Sequence, residues 1–400
     1  MKKNKVLLKL LLIMMLLLTG CTGVGKRELN ELALVMAVGL DKGNKEGNIK
    51  VTVQIVRPAD ARGQTGAPAG NTGDPIWSAS AEGETIFEAI RNLSTFSSRR
   101  VFWAHNHVIV INEDLAREGI REIIDFFTRN PELRMRTWVT VTPEEASKMV
   151  STLTGLEVIP GEAIDKLFWY GSISARTPRT EMIDLQAAYL SESSEPVLAR
   201  LTLIDRGVSN KKPGQEGSVK QVELAGAGVF KGDKMIGTLS PNESRGLVYF
   251  IDKVDSGVEA LKCPKDEDKK ISAELRKQDF SVDPIYKDGK PEFTIHLKVY
   301  ASVVEAGCPF SLEDPSQVKN LENQLEEILH DEIRNVTDRV QHEFKSDILE
   351  LGKVFNNKYP AEWKLLKEEW DEHLQEAKID IHVDVSVKEG SLLFKPTKTH

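Results

Sequence analysis

The sequence predicts a multi-domain protein of the α/β and α+β classes, with mixed sheets, helices packed on them, and long amphipathic helices in a C-terminal domain. Three observations lead there. Helical and strand-like patterning alternate between residues 85 and 150, as helices laid on a sheet require. Two strictly alternating strands near the C-terminus enclose a long amphipathic run. The chain has 400 residues, 40% of them hydrophobic, more than one core organises, so about three domains are expected.

The first 20 residues stand outside this fold. Lys2, Lys3 and Lys5 form a positive start, and residues 6–18 are an apolar run broken only by Lys9. Thirteen residues are short for a helix that must cross ~30 Å of hydrocarbon, which takes about 20. Leu18-Thr19-Gly20-Cys21 then agrees with the bacterial lipobox, with a small residue before a thiol that can form a thioether to diacylglycerol. Residues 1–20 are therefore read as a lipoprotein signal peptide cleaved between Gly20 and Cys21, and 21–28 as a lipidated tether. Two or three acyl chains, at about 0.8 kcal/mol per buried methylene, make a stable anchor where one is marginal. No other cofactor is expected.

Residues 29–200 read as an N-terminal α/β domain. It opens with an apolar strand at 29–40 and an alternating one at 48–56, turned by Gly43, Asn44 and Gly47. Residues 57–76 hold Pro58, Gly63, Gly66, Pro68, Gly70, Gly73 and Pro75 with almost no bulky apolar residue, and read as a mobile loop. From Thr85, the residues Ile86, Phe87, Ile90, Leu93 and Phe96 make one helical stripe. A strand is expected at 101–111, a helix at 115–129 stopped by Asn130-Pro131, and a strand at 136–141. Thr142-Pro143-Glu144-Glu145 reads as a helix start with Thr142 as cap. Residues 155–195 look helical but less regular, and strand returns at 196–203.

Residues 201–255 are assigned to a middle domain: a linker or hairpin loop at 210–218, a hairpin of 222–230 and 234–239 turned at Gly232-Asp233, and a helix start at Ser240-Pro241-Asn242-Glu243. Residues 256–400 form the C-terminal α+β domain. There Phe293, Ile295, Leu297 and Val299, and later Ile379, Ile381, Val383, Val385 and Val387, each alternate with polar residues. Between them Val318, Leu321, Leu325, Ile328, Ile333, Val336, Val340, Phe344 and Ile348 recur at helical spacing, followed by a shorter helix at 361–377.

Net charge is −8, and losing Lys2, Lys3, Lys5 and Lys9 with the leader leaves −12. An acidic body without a basic, aromatic-laced cluster excludes nucleic acid as a partner. Cys263 and Cys308, each followed by proline, are candidates for a disulfide in an exported protein, the alternative being two free thiols. Two cysteines alone do not make a zinc site. His105 and His107 would share one strand face, about 7 Å apart, but lack a third ligand, so packed or hydrogen-bonded histidines are favoured and no metal is assigned. The stripe Asp380, His382, Asp384 reads as a solvated strand face. Glu144-Glu145 and Glu368-Glu369 are adjacent and point apart. Gly226-Ala227-Gly228 lacks the following helix of a dinucleotide loop, and nucleophile elbows and HExxH are absent. The chain is expected not to be an enzyme. Trp363 and Trp370 are expected in the core, while Phe168, Trp169 and Tyr170 are left between core and partner anchor.

An ordered run of short blocks spans nearly the whole mature chain. It begins with Lys26-Arg27-Glu28-Leu29-Asn30-Glu31-Leu32, Val38-Gly39-Leu40-Asp41 and Val53-Gln54-Ile55-Val56-Arg57-Pro58. It continues with His107-Val108-Ile109-Val110, Ala116-Arg117-Glu118-Gly119-Ile120 and Arg129-Asn130-Pro131-Glu132-Leu133-Arg134. A central block holds Leu224-Ala225-Gly226-Ala227-Gly228-Val229-Phe230 and Glu243-Ser244-Arg245-Gly246-Leu247, and the close holds Asp347-Ile348, Gly352, Tyr359-Pro360-Ala361-Glu362-Trp363 and Trp370. Together these resemble the Ger(x)C family, the lipoprotein C subunits of nutrient-germinant receptors in endospore formers. The sequence departs at Thr22-Gly23, where the family often has Trp-Asp, and at Thr238, where an aromatic is usual. The resemblance implies a three-domain protein on the outer face of the spore inner membrane, beside receptor A and B subunits. Its expected role, which the resemblance does not itself supply, is that of a non-catalytic module needed for receptor assembly and nutrient-triggered germination, confined near its partners by the lipid anchor. The rival readings are a lipid-anchored solute-binding protein of a transporter and, behind it, an anchored hydrolase.

Overall fold

The computed structural model describes residues 31–57, 76–152, 154, 157, 159–171, 175–206, 220–252, 254 and 256–388. The leader, the tether with Cys21, nearly all of the 57–76 loop and the 210–218 segment lie outside them.

The first sheet has nine strands and grows in both directions from β1 (Leu32–Lys42). On one side, β2 (Ile49–Val56) and β3 (Ile76–Gly83) follow as antiparallel neighbours. On the other, β5 (Val108–Asn112), β6 (Trp138–Thr142) and β7 (Val197–Asp205) run parallel to it. The antiparallel β8 (Lys220–Lys231) and β9 (Lys234–Leu239) finish that side, and short β4 (Arg100–Phe102) pairs with the start of β1. Helices cover both faces. Leu93 of α1 (Ile86–Leu93), Leu115 of α2 (Glu113–Glu118), Phe127 of α3 (Arg121–Arg129) and Leu185 of α6 (Met182–Tyr189) share one core. Met149 of α4 (Ala146–Ser151) and Phe168 of α5 (Pro160–Gly171) belong to the other. Strands covered on both sides need apolar residues throughout, which is why β1 and β5 read as continuous hydrophobic runs.

The expected 115–129 helix is two, α2 and α3, because Gly119 takes φ 142° between them. The expected 101–111 strand is also interrupted: the chain turns after β4, with the Asn106 N–H donating to the Trp103 carbonyl, before β5 begins. Phe87 and Phe96 leave the predicted apolar stripe and are both 54% exposed. The segment assigned to a middle domain builds no sheet of its own, because β8 pairs with β7 and so continues the N-terminal sheet. The hairpin turn at Gly232-Asp233 is as expected, with Gly232 at φ 58°.

Helix α7 (Pro241–Ile251) starts as its sequence signals, with Pro241 in the first turn and a reciprocal capping box between Ser240 and Glu243. Beyond it lies a second, four-stranded sheet: β10 (Gly257–Cys263), β11 (Asp266–Lys287), β12 (Lys290–Ala306) and β13 (Lys378–Lys388), in that order. β13 runs parallel to β12 while the other neighbours are antiparallel. The long α8 (Pro315–Asp338) buries Leu321, Leu325, Leu329 and Ile333 against Ile295, Leu297 and Val299. It also closes both outer strands. The Gln324 side-chain amide donates to the Lys262 carbonyl and accepts from the Lys262 N–H, while Glu326 and Glu322 accept from the N–H groups of Val385 and Val387.

The amphipathic run does not continue as α-helix to residue 348: it passes into a π-helical turn, Arg339–Phe344, and stops at Lys345 in the left-handed region. The expected 361–377 helix is likewise in pieces: α10 (Pro360–Leu366), a 3₁₀ turn (Lys367–Glu369) and α11 (Trp370–Glu376), preceded by α9 (Leu351–Lys358). Its breaks bring Trp363 and Trp370, both buried, to 4.9 Å between ring centres. These helices join the two sheets in one core, where Val229 and Leu239 meet Phe344, Phe355 and Trp370.

Cys263 and Cys308 are joined as a disulfide across 45 residues, with Cα atoms 6.4 Å apart. It ties the end of β10 to the segment leading into α8. Replacing both cysteines by serine is expected to lower unfolding stability by about 2–4 kcal/mol in urea titrations, through loss of loop-closure constraint on the unfolded chain. A loss below about 0.5 kcal/mol would remove the bridge from the account of stability.

Candidate interaction site

In open α/β sheets ligands sit beyond the carboxyl ends of the parallel strands, where the strand order reverses. Here that point lies between β1 and β5. The site is filled from within. The Asp41 carboxylate at the end of β1 accepts from Ala146 N at 2.6 Å and Ser147 N at 2.9 Å, so it caps α4 from 105 residues away. Thr142, the expected cap, is the last residue of β6 and donates its hydroxyl to Glu144. Next to it, Glu113 binds Arg200 at 2.6 Å. The N–H groups that a phosphate or carboxylate ligand would use are therefore already committed.

The histidines do not converge. His105 lies in the turn between β4 and β5, and His107 is 3.6 Å from Asp165, whose other contact is the Trp138 indole N–H at 2.8 Å. On the second sheet, His382 stacks on His296 across β12 and β13 at 5.3 Å, Asp380 pairs with Lys378, and Asp384 lies 3.9 Å from Lys298. Among the described residues no three His, Cys, Asp or Glu side chains are grouped to hold a metal. Glu144 accepts from Leu203 N, whereas Glu145 pairs with Lys148, so this carboxylate pair does point apart.

Two charged groups are buried at the joins of the fold. Arg245 of α7, 4% exposed, lies between Glu332 of α8 and Glu259 of β10, and its Nε is 2.9 Å from Glu332. Burial alone would lower the guanidinium pKa, but the charge and hydrogen bonds of Glu332 and then Glu259 hold it above its usual value. Burial raises the Glu332 carboxyl, and Arg245 draws it partly back. Beside Arg245, Gly246 is where α7 and α8 touch, and a β-carbon there would collide with the Glu332 backbone. Asp347, fully buried, accepts from Leu351 N at 3.0 Å, Gly352 N at 2.6 Å and the Trp370 indole at 2.9 Å. Its own carbonyl accepts from Glu195 N, and the neighbouring Ser346 hydroxyl donates to the Phe230 carbonyl, so this short segment fastens the C-terminal helices to the first sheet.

What remains for partners is on the surface. Between α1 and α3 runs a groove of about 770 Å³. Its apolar side chains include Val101, Trp103, Phe126 and the half-exposed Phe87. Its rim alternates in charge, with Arg100 paired to Glu132 and Arg129 to Asp125. Nothing in it pairs a nucleophile with a base, and its mixed lining suits side chains of another protein. The aromatic triplet divides: Phe168 is buried and stacks on Trp138 at 4.7 Å, while Trp169 and Tyr170 are about 70% exposed.

Five residues of the blocks noted in the sequence fall on joins: Asp41, Arg245, Gly246, Asp347 and Trp370 hold elements together. Residues 25–203 match the spore germination protein N-terminal domain family, and residues 225–390 the spore germination B3/GerAC-like C-terminal family. The chain belongs to the Ger(x)C family. Spore germination protein KC of Bacillus subtilis is 28% identical over 100% of this chain and 98% of its own length, and spore germination protein B3 of the same organism is 26% identical over 94% of each. Spore germination protein GerQC of Bacillus cereus is 22% identical over 96% and 98%. The crystal structure of GerBC superposes with a TM-score of 0.53 at 21% identity, over 88% of this chain and 96% of that one, so the Ger(x)C fold is shared.

Proposed function

We propose that this Ger(x)C protein is a non-catalytic subunit of a spore nutrient-germinant receptor, held through lipid on Cys21 at the outer face of the spore inner membrane and needed there for receptor assembly. The reading is carried by the match to two spore-germination families over nearly the whole mature chain. Three buried polar groups of the matching blocks, Asp41, Arg245 and Asp347, support it, because they are consumed in internal pairs and leave the surface for partners. Its partners are then the receptor A and B subunits. No helix among the described residues is long and apolar enough to cross a membrane, and the diacylglycerol on Cys21 would supply the attachment.

Confinement to a surface raises the effective concentration of a protein near its neighbours as a linker does. In spores carrying Cys21→Ala, the protein is expected to leave the membrane fraction. Its co-purification with the A and B subunits should fall about tenfold or more, since avidity gains of that order or greater depend on tethering. Undiminished membrane association and yield in the variant would refute the anchoring part. A solute-binding role would call for a cleft between two lobes, whereas here the two sheets share a continuous core at Val229, Leu239, Phe344 and Trp370.

A further inference from the structure

Lipid on Cys21, as proposed above, limits how far the folded body can stand from a bilayer. Ten peptide steps lead from Cys21 to Glu31, where the described chain begins, and fully extended they span at most about 35 Å. β1 starts at the next residue, so the tether holds the amino end of the first sheet close to the membrane. The carboxyl end of β1 lies 11 residues further on, another ~35 Å at ~3.3 Å per residue. It meets the bilayer only with the tether drawn out along the sheet.

The topology gathers cations at that end. α1 and α3 both run back against the parallel strands, so the loops that follow them, residues 94–99 and 130–137, emerge beside the start of β1. Arg100 is level with Leu32 of β1, and its pairing with Glu132 at 2.7 Å sets the two loops side by side. Arg99, Arg134 and Arg136 are exposed on them. Half-exposed Phe96 meets the Trp77 ring at 6.3 Å, and Trp77 is level with Ile55 and Val35 in the same half of the sheet. Counting the tether leaves the end positive, since Lys26 and Arg27 offset Glu28 and Glu31. Farther from β1, beside the start of β6, α6 opens with Glu181 and Asp184, the latter accepting from Glu181 N at 3.0 Å. At the carboxyl end the sign reverses: Glu84, Glu88, Asp114 and Glu118 are exposed there, and Lys42 and Arg117 are paired to Glu118 and Glu113.

We propose that the amino end of the first sheet is the face that rests on an anionic phospholipid surface, with Arg99, Arg100, Arg134 and Arg136 against headgroup phosphates and the Phe96 ring in the interfacial layer. Guanidinium groups bind phosphate oxygens through paired N–H donors, and each cation held near an anionic surface raises binding about fivefold. An aromatic ring beside them settles at headgroup level. The acidic opposite end then points away from the bilayer, which leaves the flanks of the sheet to protein neighbours. This rests on the lipid anchor at Cys21 and adds which way round the anchored body sits.

The mature chain is to be compared in lipidated form and as Cys21→Ser, each with a single fluorophore on Ser98→Cys or, at the opposite end, on Lys45→Cys. Cys263 and Cys308 are bonded and take no label, and Cys21 is blocked or replaced. In phosphatidylglycerol vesicles with brominated acyl chains, the label at position 98 is expected to be quenched and the one at position 45 to be unaffected. Arg99→Gln, Arg134→Gln and Arg136→Gln together should keep the melting temperature, since all three side chains are exposed, and cut vesicle binding by the Cys21→Ser chain at least about tenfold. Equal quenching at 98 and 45, or binding that ignores both phosphatidylglycerol and the arginine substitutions, overturns the face and leaves the anchor standing. Native protein without acyl chains, whose Cys21→Ser form still settles with position 98 inward, overturns the anchor and keeps the face.

Discussion

Arg245→Met is expected to cost about 3–5 kcal/mol of unfolding stability, the range for breaking a buried ion pair by removing one partner. Methionine approximates the aliphatic stem, so the loss comes from the charge and not from a cavity. Glu332 and Glu259 would be left facing each other from α8 and β10 with no cation between them. Glu332, already raised by burial, would rise further without Arg245. A carboxyl whose folded pKa exceeds its unfolded value of 4.5 costs stability as pH climbs past that value, so the deficit should widen from acid toward neutral pH. Adding Glu332→Gln to the variant should recover part of the loss, because it removes one orphaned charge. Urea titrations at several pH values measure all of this. A single-variant deficit below about 1 kcal/mol at pH 7 would mean the triad is replaceable.

The parts of this fold that were legible in the sequence are those set by neighbours along the chain. Period-two alternation placed β12 and β13, and the Ser240-Pro241-Asn242-Glu243 signal placed the start of α7, because pleat and capping box are local. The breaks were less visible. Nothing in the spacing of Val336, Val340 and Phe344 announces a π turn at Arg339, and Trp363 and Trp370 fit one helix as well as the three pieces that bring their rings together. Long-range choices were illegible. Asp41 reads as the end of a strand until α4 arrives from 105 residues away, and the 201–255 segment looks like a domain until β8 finds β7. The Cys21 reading is entirely local and stands outside the described residues. The blocks marked out Asp41, Arg245 and Asp347 without saying what they hold, since a motif on one strand or helix does not name its partner.

Asp347→Ala should be the other severe substitution. It orphans three donors, Leu351 N, Gly352 N and the Trp370 indole, around a residue that is only 2% exposed. At about 1–3 kcal/mol for each buried donor left unpaired, with some relaxation, a loss of about 3–6 kcal/mol is expected. The cost is not confined to α9, since Trp370 belongs to the core shared by both sheets. Asn is a gentler change, because one oxygen remains to accept from either Leu351 or the Gly352 and Trp370 pair, but not all three. The two variants also separate charge from hydrogen bonding. Burial pushes the Asp347 carboxyl up to about 6 from 3.8, against the pull of its three donors. The folded state therefore holds this proton more tightly than the unfolded one, and stability from this group falls as pH rises from about 4 to about 6 and is flat above. Asp347→Asn should lack that fall, so the difference between wild type and variant should be largest near pH 4 and shrink toward pH 6. A difference that stays constant across that window would show that Asp347 keeps its charge throughout and acts through its hydrogen bonds alone.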